Sequence, residues 1–143
     1  MIEAAVYKEH FSGFCGPLAK LLHERRGWKL YRVTTSFENS PRCGAEHLFA
    51  NPDRGGILDA LGWSPNFDEG LRVRCTAQCL LDNPEAEVIT LVQLEKFASR
   101  SIAEVKSSEA RFEKLTTVAD ELLRRYDAAG SDSFQTFDPF APG

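Results

Sequence analysis

The stretch that decides the fold is "HFSGFCGPLAKLLHERRGW" at residues 10–28, where a glycine-flanked cysteine runs directly into a helical pattern. Pro17 suits the first turn of a helix, where its missing N–H does no harm. Gly27 suits the left-handed position that follows a helix. Between them, apolar residues recur at helical spacing: Leu18, Ala19, Leu21 and Leu22. The pattern predicts a helix with Cys15 at its N-terminal end.

Two explanations account for Cys15 at this position. Cysteine packs well as a small hydrophobic residue, so it can be a buried structural thiol. Alternatively, the N–H groups at a helix N-terminus stabilise a thiolate, which is the nucleophilic form of cysteine. A catalytic thiolate also needs a base within hydrogen-bond reach and a third group that orients the base. The rest of the sequence must supply both.

Length, composition and charge narrow the class of protein. The 143 residues suit one domain with a core of its own, and a hydrophobic fraction of 43% with 27% charged residues is ordinary for globular proteins. A net charge of −4 argues against nucleic-acid binding, which needs a basic face. We expect a single domain over residues 1–130, followed by a phenylalanine- and proline-containing tail over 131–143.

The sequence also bears on location. No segment approaches the roughly 20 consecutive apolar residues that span a bilayer, and "MIEAAVYKEHFSG" at residues 1–13 lacks the pattern of a secretory signal. We therefore expect a cytoplasmic protein, or one exported by a specialised system, with no membrane or nucleic-acid partner. The oligomeric state stays open.

Several segments after the first helix have the composition of strands. Residues 28–37 alternate and are rich in aromatic and β-branched residues, and residues 71–78 alternate in the same way. Residues 38–44 are typical of a loop. Two short strands, "AEHLFA" and "ILDALGW", flank the turn-forming "NPDRGG" at 51–56 and predict an antiparallel hairpin.

The second half is predicted to be mainly helical. Asn83 and Pro84 resemble a helix start, but "EVITLVQ" would serve equally well as a strand, so residues 84–100 stay open. Residues 108–129 predict a long amphipathic helix that ends at Gly130. Its predicted apolar face contains Phe112, Leu115, Val118, Ala119, Leu122 and Tyr126. The tail is expected to lack regular structure. Together these elements predict an α+β fold in which the cysteine-bearing helix packs on a small antiparallel sheet.

The hairpin offers a partner pair for the thiol. His47 lies in the first predicted strand and Asp59, twelve residues later, lies in the second. Residues at these positions of two antiparallel strands come close when the turn is centred near residue 53. Both side chains can then project from one face toward the start of the helix. The pattern favours an oriented imidazole next to Cys15.

At these residues the chain resembles the papain-like and transglutaminase-like cysteine enzymes. The resemblance rests on "GFCGPLAKLLHERRGW", then a strand, then "HLF" and "GGILDALG", and it covers residues 13–63. It implies an α+β core in which Cys15 is the nucleophile, His47 the general base and acid, and Asp59 the carboxylate that orients the imidazole. Enzymes of this kind need no cofactor for the reaction.

The chain departs from that family pattern in two places. Gly16 replaces the aromatic residue that commonly follows the cysteine, and the upstream glutamine that often donates to the oxyanion has no match. The backbone N–H groups of Cys15 and Gly16 are then the expected oxyanion donors.

Other interpretations of the same residues stay open. Asp59 could cap the turn before Gly62, and Asp53 is a rival third member that its turn also explains. The four cysteines are expected to be free thiols or metal ligands, since a reducing compartment disfavours disulfides. Two spaced pairs could bind zinc through Cys43, His47, Cys75 and Cys79. A zinc-bound His47 could not act as a base.

The sequence thus predicts a cysteine-nucleophile hydrolase or acyl transferase (a protease, deamidase or transglutaminase-like enzyme) that acts on an amide or ester through an acyl-enzyme. The expected partner is a protein or peptide substrate. The alternative is a non-catalytic binding or inhibitory protein on the same fold. The missing oxyanion side chain and the phenylalanines of the tail motivate that alternative.

Overall fold

The computed structural model describes residues 2–35, 46–78, 80 and 83–141. Over these residues the chain is α+β, as the sequence predicts. The helices are α1 (Ala4–Ser12), α2 (Cys15–Arg26), α3 (Phe67–Ala77), α4 (Leu91–Phe97), α5 (Ser99–Lys106) and α6 (Glu109–Ala128). The strands are β1 (Lys29–Thr34), β2 (Glu46–Asn51), β3 (Ile57–Asp59), β4 (Gly62–Ser64), β5 (Glu85–Ile89) and β6 (Phe134–Gln135).

The strands form one open antiparallel sheet in the order β5-β1-β2-β3-β4-β6. Both faces of its centre are covered, because alternate residues of each strand enter different clusters. Leu30 and Leu48 pack with residues of α2, α4 and α5, whereas Val33 and Phe49 pack with residues of α3. Strands β2 and β3 therefore have little solvent-facing surface.

A large apolar cluster joins α1, α2 and α6 to the sheet. Its fully buried members include Leu22, Leu58, Val118 and Leu122. Burial of a leucine side chain contributes roughly 1.5–3 kcal/mol, so this cluster fixes α2 firmly against the strands. Helix α2 has the predicted end, since Gly27 adopts φ +69° and its N–H bonds to the carbonyl of His23.

Close packing against the α4–α5 junction sets the position of the first turn of α2. A Cβ atom on Gly16 would lie 2.3 Å from the Cβ of Ala98. Only glycine permits this approach, which accounts for the residue that follows Cys15.

The prediction of a strand over residues 71–78 is wrong, because α3 covers Phe67–Ala77. The Asn66 side chain accepts from the N–H of Glu69 and caps the helix. Leu71 and Cys75 are four residues apart and both contact the cluster on the α3 side of the sheet. The alternating pattern was compatible with a strand, but the cap and the four-residue spacing favour the helix.

The hairpin is present, but its second arm differs from the prediction. Two short strands, β3 (Ile57–Asp59) and β4 (Gly62–Ser64), take the place of the single strand predicted over 57–63. Ala50 lies opposite Leu58, so the register is shifted by two residues from the one that pairs His47 directly with Asp59. A shift of two keeps both side chains on the same face, because the side-chain period of a strand is two.

Residues 84–100, which the sequence left open, contain a strand and helices. β5 ends at Ile89, and α4 begins after Thr90, whose side chain forms a capping box with Gln93. The predicted helix start at Asn83 is wrong, and α5 was not predicted.

The long helix is confirmed as α6, with one error in its apolar face. Phe112 is 53% exposed, while Leu123 joins the buried residues. The tail is more ordered than predicted, since β6 pairs with β4. Phe137 packs edge-on against Phe11 of α1, with ring centroids 5.6 Å apart.

The predicted loop over 38–44 and the end of the predicted strand over 28–37 lie outside the described residues. Among the described residues, no helix is long and apolar enough to cross a membrane.

Substitution of Gly62 by alanine should destabilise the fold. Gly62 has φ +129°, and a Cβ there would lie 2.0 Å from the carbonyl oxygen of Phe134. We expect a loss of about 1–3 kcal/mol or more in the free energy of unfolding, measured by urea denaturation. Gly27→Ala is the matched control, because φ is also positive but nothing lies within 4 Å of the added carbon. A loss for Gly62→Ala no larger than the control would contradict the steric argument.

Candidate active site

Cys15 is the first residue of α2 and follows a tight turn through Gly13 and Phe14. The N–H groups of Gly13 and Phe14 both bond to the carbonyl of Glu9, which closes the end of α1 just before α2 begins. Cys15 is partly exposed, in contrast to the buried residues on either side of it. The thiol is therefore held at a helix N-terminus, on a residue that is partly exposed.

His47 lies on β2 and is fully buried. Its Nε2 donates to Oδ2 of Asp59 at 2.8 Å. The Cys15 side chain lies close enough to the same imidazole to raise its pKa. The ring of Phe11 lies 4.9 Å away by centroid and shields one side of the imidazole. The structure thus brings together the three residues that the sequence singled out.

Asp59 is buried and has a full set of donors. Its Oδ1 accepts the N–H of Leu61 at 3.0 Å, and Oδ2 also accepts from Nε of Arg74 at 2.7 Å. The contact with Leu61 caps the turn between β3 and β4. Asp59 therefore caps that turn and orients His47 at the same time, so the two interpretations of this residue are compatible.

These contacts shift the pKa values of His47 and Asp59 in opposite directions. Burial by itself lowers the pKa of His47, but the hydrogen bonds and charges of Asp59 and Cys15 outweigh it and raise the pKa to about 9. Burial raises the pKa of Asp59, but the charge of Arg74 and the hydrogen bond of His47 lower it to about 2. Near neutral pH the Asp59 carboxylate is therefore ionised, and the raised pKa of His47 favours the protonated, positively charged ring.

The sequence interpretation missed two residues of this site, Arg74 and Gln78. Arg74 is 1% exposed and also donates to Ser64 Oγ and to the carbonyls of Gly70 and Gly62. Gln78, at the end of α3, has its Nε2 at 3.2 Å from Nδ1 of His47. The one available signal was their four-residue spacing, which is meaningful only on a helix.

Other candidate residues lie elsewhere or have other partners. His10 and His23 each bond through Nδ1 to a backbone carbonyl. Asp53, the rival third member, accepts the hydroxyl of Tyr126 in the turn after β2.

The zinc interpretation has little support from the described residues. Cys43 and Cys79 lie outside them. Within them, no group of three or more histidine, cysteine, aspartate or glutamate side chains could hold a metal ion. Cys75 is buried, and burial raises the pKa of its thiol.

An open groove of about 350 Å³ lies at the N-terminal end of α2. Gly13 and Phe14, which directly precede Cys15, line one side, and Phe97, Ala98 and Arg100 line the other.

Comparisons of the chain with protein-family models, with curated proteins and with solved structures found no match. The assignment of this site therefore rests on its own geometry.

The stability of the protein should fall at both ends of the pH range. The raised pKa of His47 contributes stability that is complete below pH 6.5 and is lost as pH rises through about 9. The lowered pKa of Asp59 contributes stability that is present above pH 3.8 and is lost as pH falls through about 2. Urea denaturation at a series of pH values should show losses on the order of 3 kcal/mol in each window.

Asp59→Asn should shrink the loss between pH 6.5 and 9, because the imidazole then lacks its anionic partner. It should also lower stability by about 3–5 kcal/mol, since Arg74 stays buried without its carboxylate. Asp132→Asn, at an exposed position, is the control and should leave the pH profile unchanged. An unaltered profile in Asp59→Asn would disprove the coupling of the two groups.

Proposed function

We propose that this protein is a cysteine-nucleophile hydrolase or acyl transferase that acts on an amide or ester carbonyl. The supporting observation is that His47 is hydrogen-bonded to Asp59 at 2.8 Å and lies close enough to the partly exposed Cys15, at the start of α2, for that side chain to raise the pKa of the imidazole. A thiol, an imidazole base and a carboxylate that orients the base are the components of a thiol acyl-transfer site. The resemblance to papain-like and transglutaminase-like enzymes agrees with this proposal.

The reaction follows from these contacts. The Cys15 thiol passes its proton to Nδ1 of His47, and the thiolate attacks the carbonyl carbon of the substrate. His47 then donates that proton to the departing amine or alcohol, which leaves a thioester on the sulfur. In the second half, His47 takes a proton from water or from an acceptor amine as it attacks the thioester. The proton returns to the sulfur as the acyl group leaves.

Backbone donors serve the oxyanion in this proposal. The first N–H groups of an α-helix have no acceptor within the helix, and Cys15 and Gly16 are the first two residues of α2. Their N–H groups are available to a negatively charged oxygen that forms next to the sulfur, as an oxyanion hole requires.

The groove beside Cys15 favours a protein or peptide substrate. It is open to solvent and is formed by two separate segments of the chain, so that an extended chain can lie across it. Water as the acceptor gives a protease or deamidase, and an amine gives a transglutaminase-like transferase.

A non-catalytic binding protein is the alternative. It is favoured by a second groove of about 400 Å³ at α5 and α6, where Phe112 is 53% exposed. Exposed apolar surface beside a groove is typical of interaction sites. Reactivity of the thiols distinguishes the two proposals.

Cys15 should react with iodoacetamide about 10- to 100-fold faster at pH 6–7 than an ordinary thiol, because the adjacent His47 can accept the proton of the thiol. Peptide mapping by mass spectrometry gives the rate for each cysteine. Cys75 is the internal control: it is buried with a raised pKa, so it should react slowly. His47→Ala should reduce the rate at Cys15 to that of an ordinary thiol.

The same preparation can be tested for acyl transfer with p-nitrophenyl acetate. We expect a burst of nitrophenol and an acetyl group on Cys15, both absent in Cys15→Ser. Uniformly slow alkylation of all four cysteines, with no acetyl adduct, would exclude the enzyme and favour the binding protein.

A further inference from the structure

The contacts of Gln78 determine which nitrogen of His47 carries the proton in the neutral ring. Nε2 of Gln78 lies 2.9 Å from the carbonyl oxygen of Phe11. A carbonyl oxygen can only accept, so the amide group directed at it must be the –NH₂. The same nitrogen lies 3.2 Å from Nδ1 of His47, which must then be the acceptor. In the neutral ring, Nδ1 is therefore the unprotonated nitrogen, and the ring proton is on Nε2, directed at Asp59.

Arg74 affects the same ring from its Nε2 side, through Asp59. Its Nε donates to Oδ2 of Asp59, the oxygen that also accepts from His47. Four donors on the guanidinium thereby link one carboxylate to Ser64 and to two backbone carbonyls. The arginine charge offsets part of the carboxylate charge that would otherwise hold a proton on the imidazole.

We propose that α3 is a positioning helix for the imidazole: Arg74 and Gln78, one turn apart, hold Asp59 fixed and Nδ1 of His47 as a proton acceptor, so that the ring releases its proton more readily than Asp59 and Cys15 alone would allow. The inference rests on the function proposed above, since the step it serves is the release of a proton from His47 to the leaving group. Asp59 and Cys15 favour the charged form of the His47 ring, whereas Arg74 and Gln78 favour its neutral form.

The direction of each effect follows from elementary electrostatics. When Nδ1 gains a proton, the N–H of Gln78 loses its acceptor and faces another N–H, so Gln78 disfavours the charged ring. The titratable or charged groups that face His47 among the described residues are Cys15 from α2 and Asp59 from β3, with Arg74 from α3 behind Asp59. α1 contributes the uncharged Phe11.

The test is the titration midpoint of His47, measured by ¹H–¹⁵N NMR of the imidazole in the full chain. Gln78→Met removes the opposing N–H and should raise the midpoint by about 0.5–1 pH unit. Gln78→Glu places a carboxylate at the same atom and should raise it further. Gln78 is half-buried at a helix end, so these variants are expected to fold. Gln135→Met, at an exposed position, is the matched control and should leave the midpoint unchanged.

Arg74 provides an independent measurement. Arg74→Met should also raise the midpoint of His47, whereas Arg74→Lys keeps the charge and should restore most of the wild-type value. Arg72→Met, the same change on the exposed side of α3, is the control. Should Arg74→Met fail to fold, the Gln78 series still tests the proposal.

A midpoint that stays the same in Gln78→Met and Gln78→Glu, or that falls, would overturn the inference. That result would leave the proposed function standing if Cys15 of the wild-type protein still reacts rapidly. Slow alkylation of Cys15 in the wild-type protein, together with the expected order of His47 midpoints among the variants, would instead refute the proposed function and support the role of α3.

Discussion

The buried hydrogen bond between His47 and Asp59 is the interaction on which the rest of this structure depends. A carboxylate without solvent needs donors for both oxygens, and an isolated one would be strongly destabilising. The fold meets that need with Arg74, with the N–H of Leu61 and with the imidazole itself. The short strands β3 and β4 exist in this form because Asp59 caps the turn between them. A buried arginine follows from the same requirement, since it supplies the compensating charge.

The difference in exposure between the thiol and its partners follows from the two elements that carry them. His47 and Asp59 lie on central strands beneath α3, where no solvent reaches them. Cys15 lies at the end of a helix, at the edge of the same core, and is partly exposed. A fixed, buried imidazole next to a partly exposed thiol is the combination that the proposed acyl transfer needs. It arises here because α2 packs along the sheet with its first turn beside His47.

Local patterns could predict the elements of the site but not the contacts between them. Helix α2 is marked by Pro17 and Gly27, and the hairpin by its turn residues. The period of two then put His47 and Asp59 on one face even though the register was wrong by two residues.

Arg74 could not be predicted, because residues 71–78 alternate like a strand and the decisive cap at Asn66 lies outside that window. Gln78 depends on where α3 ends relative to α1, which only tertiary packing decides. The exposed Phe112 shows the same limit. Periodicity placed it on the apolar face of α6, but periodicity does not reveal how far along α6 the neighbouring elements extend.

The aromatic chain of contacts around the imidazole links the site to a distant part of the sequence. Phe137 packs on Phe11, and Phe11 packs on His47 and accepts the amide of Gln78 through its carbonyl oxygen. The segment around Phe137 therefore supports the aromatic ring that covers His47. Proteolytic cleavage of this segment would remove that support, so a cut far from Cys15 in the sequence would expose the imidazole and loosen its contact with Gln78.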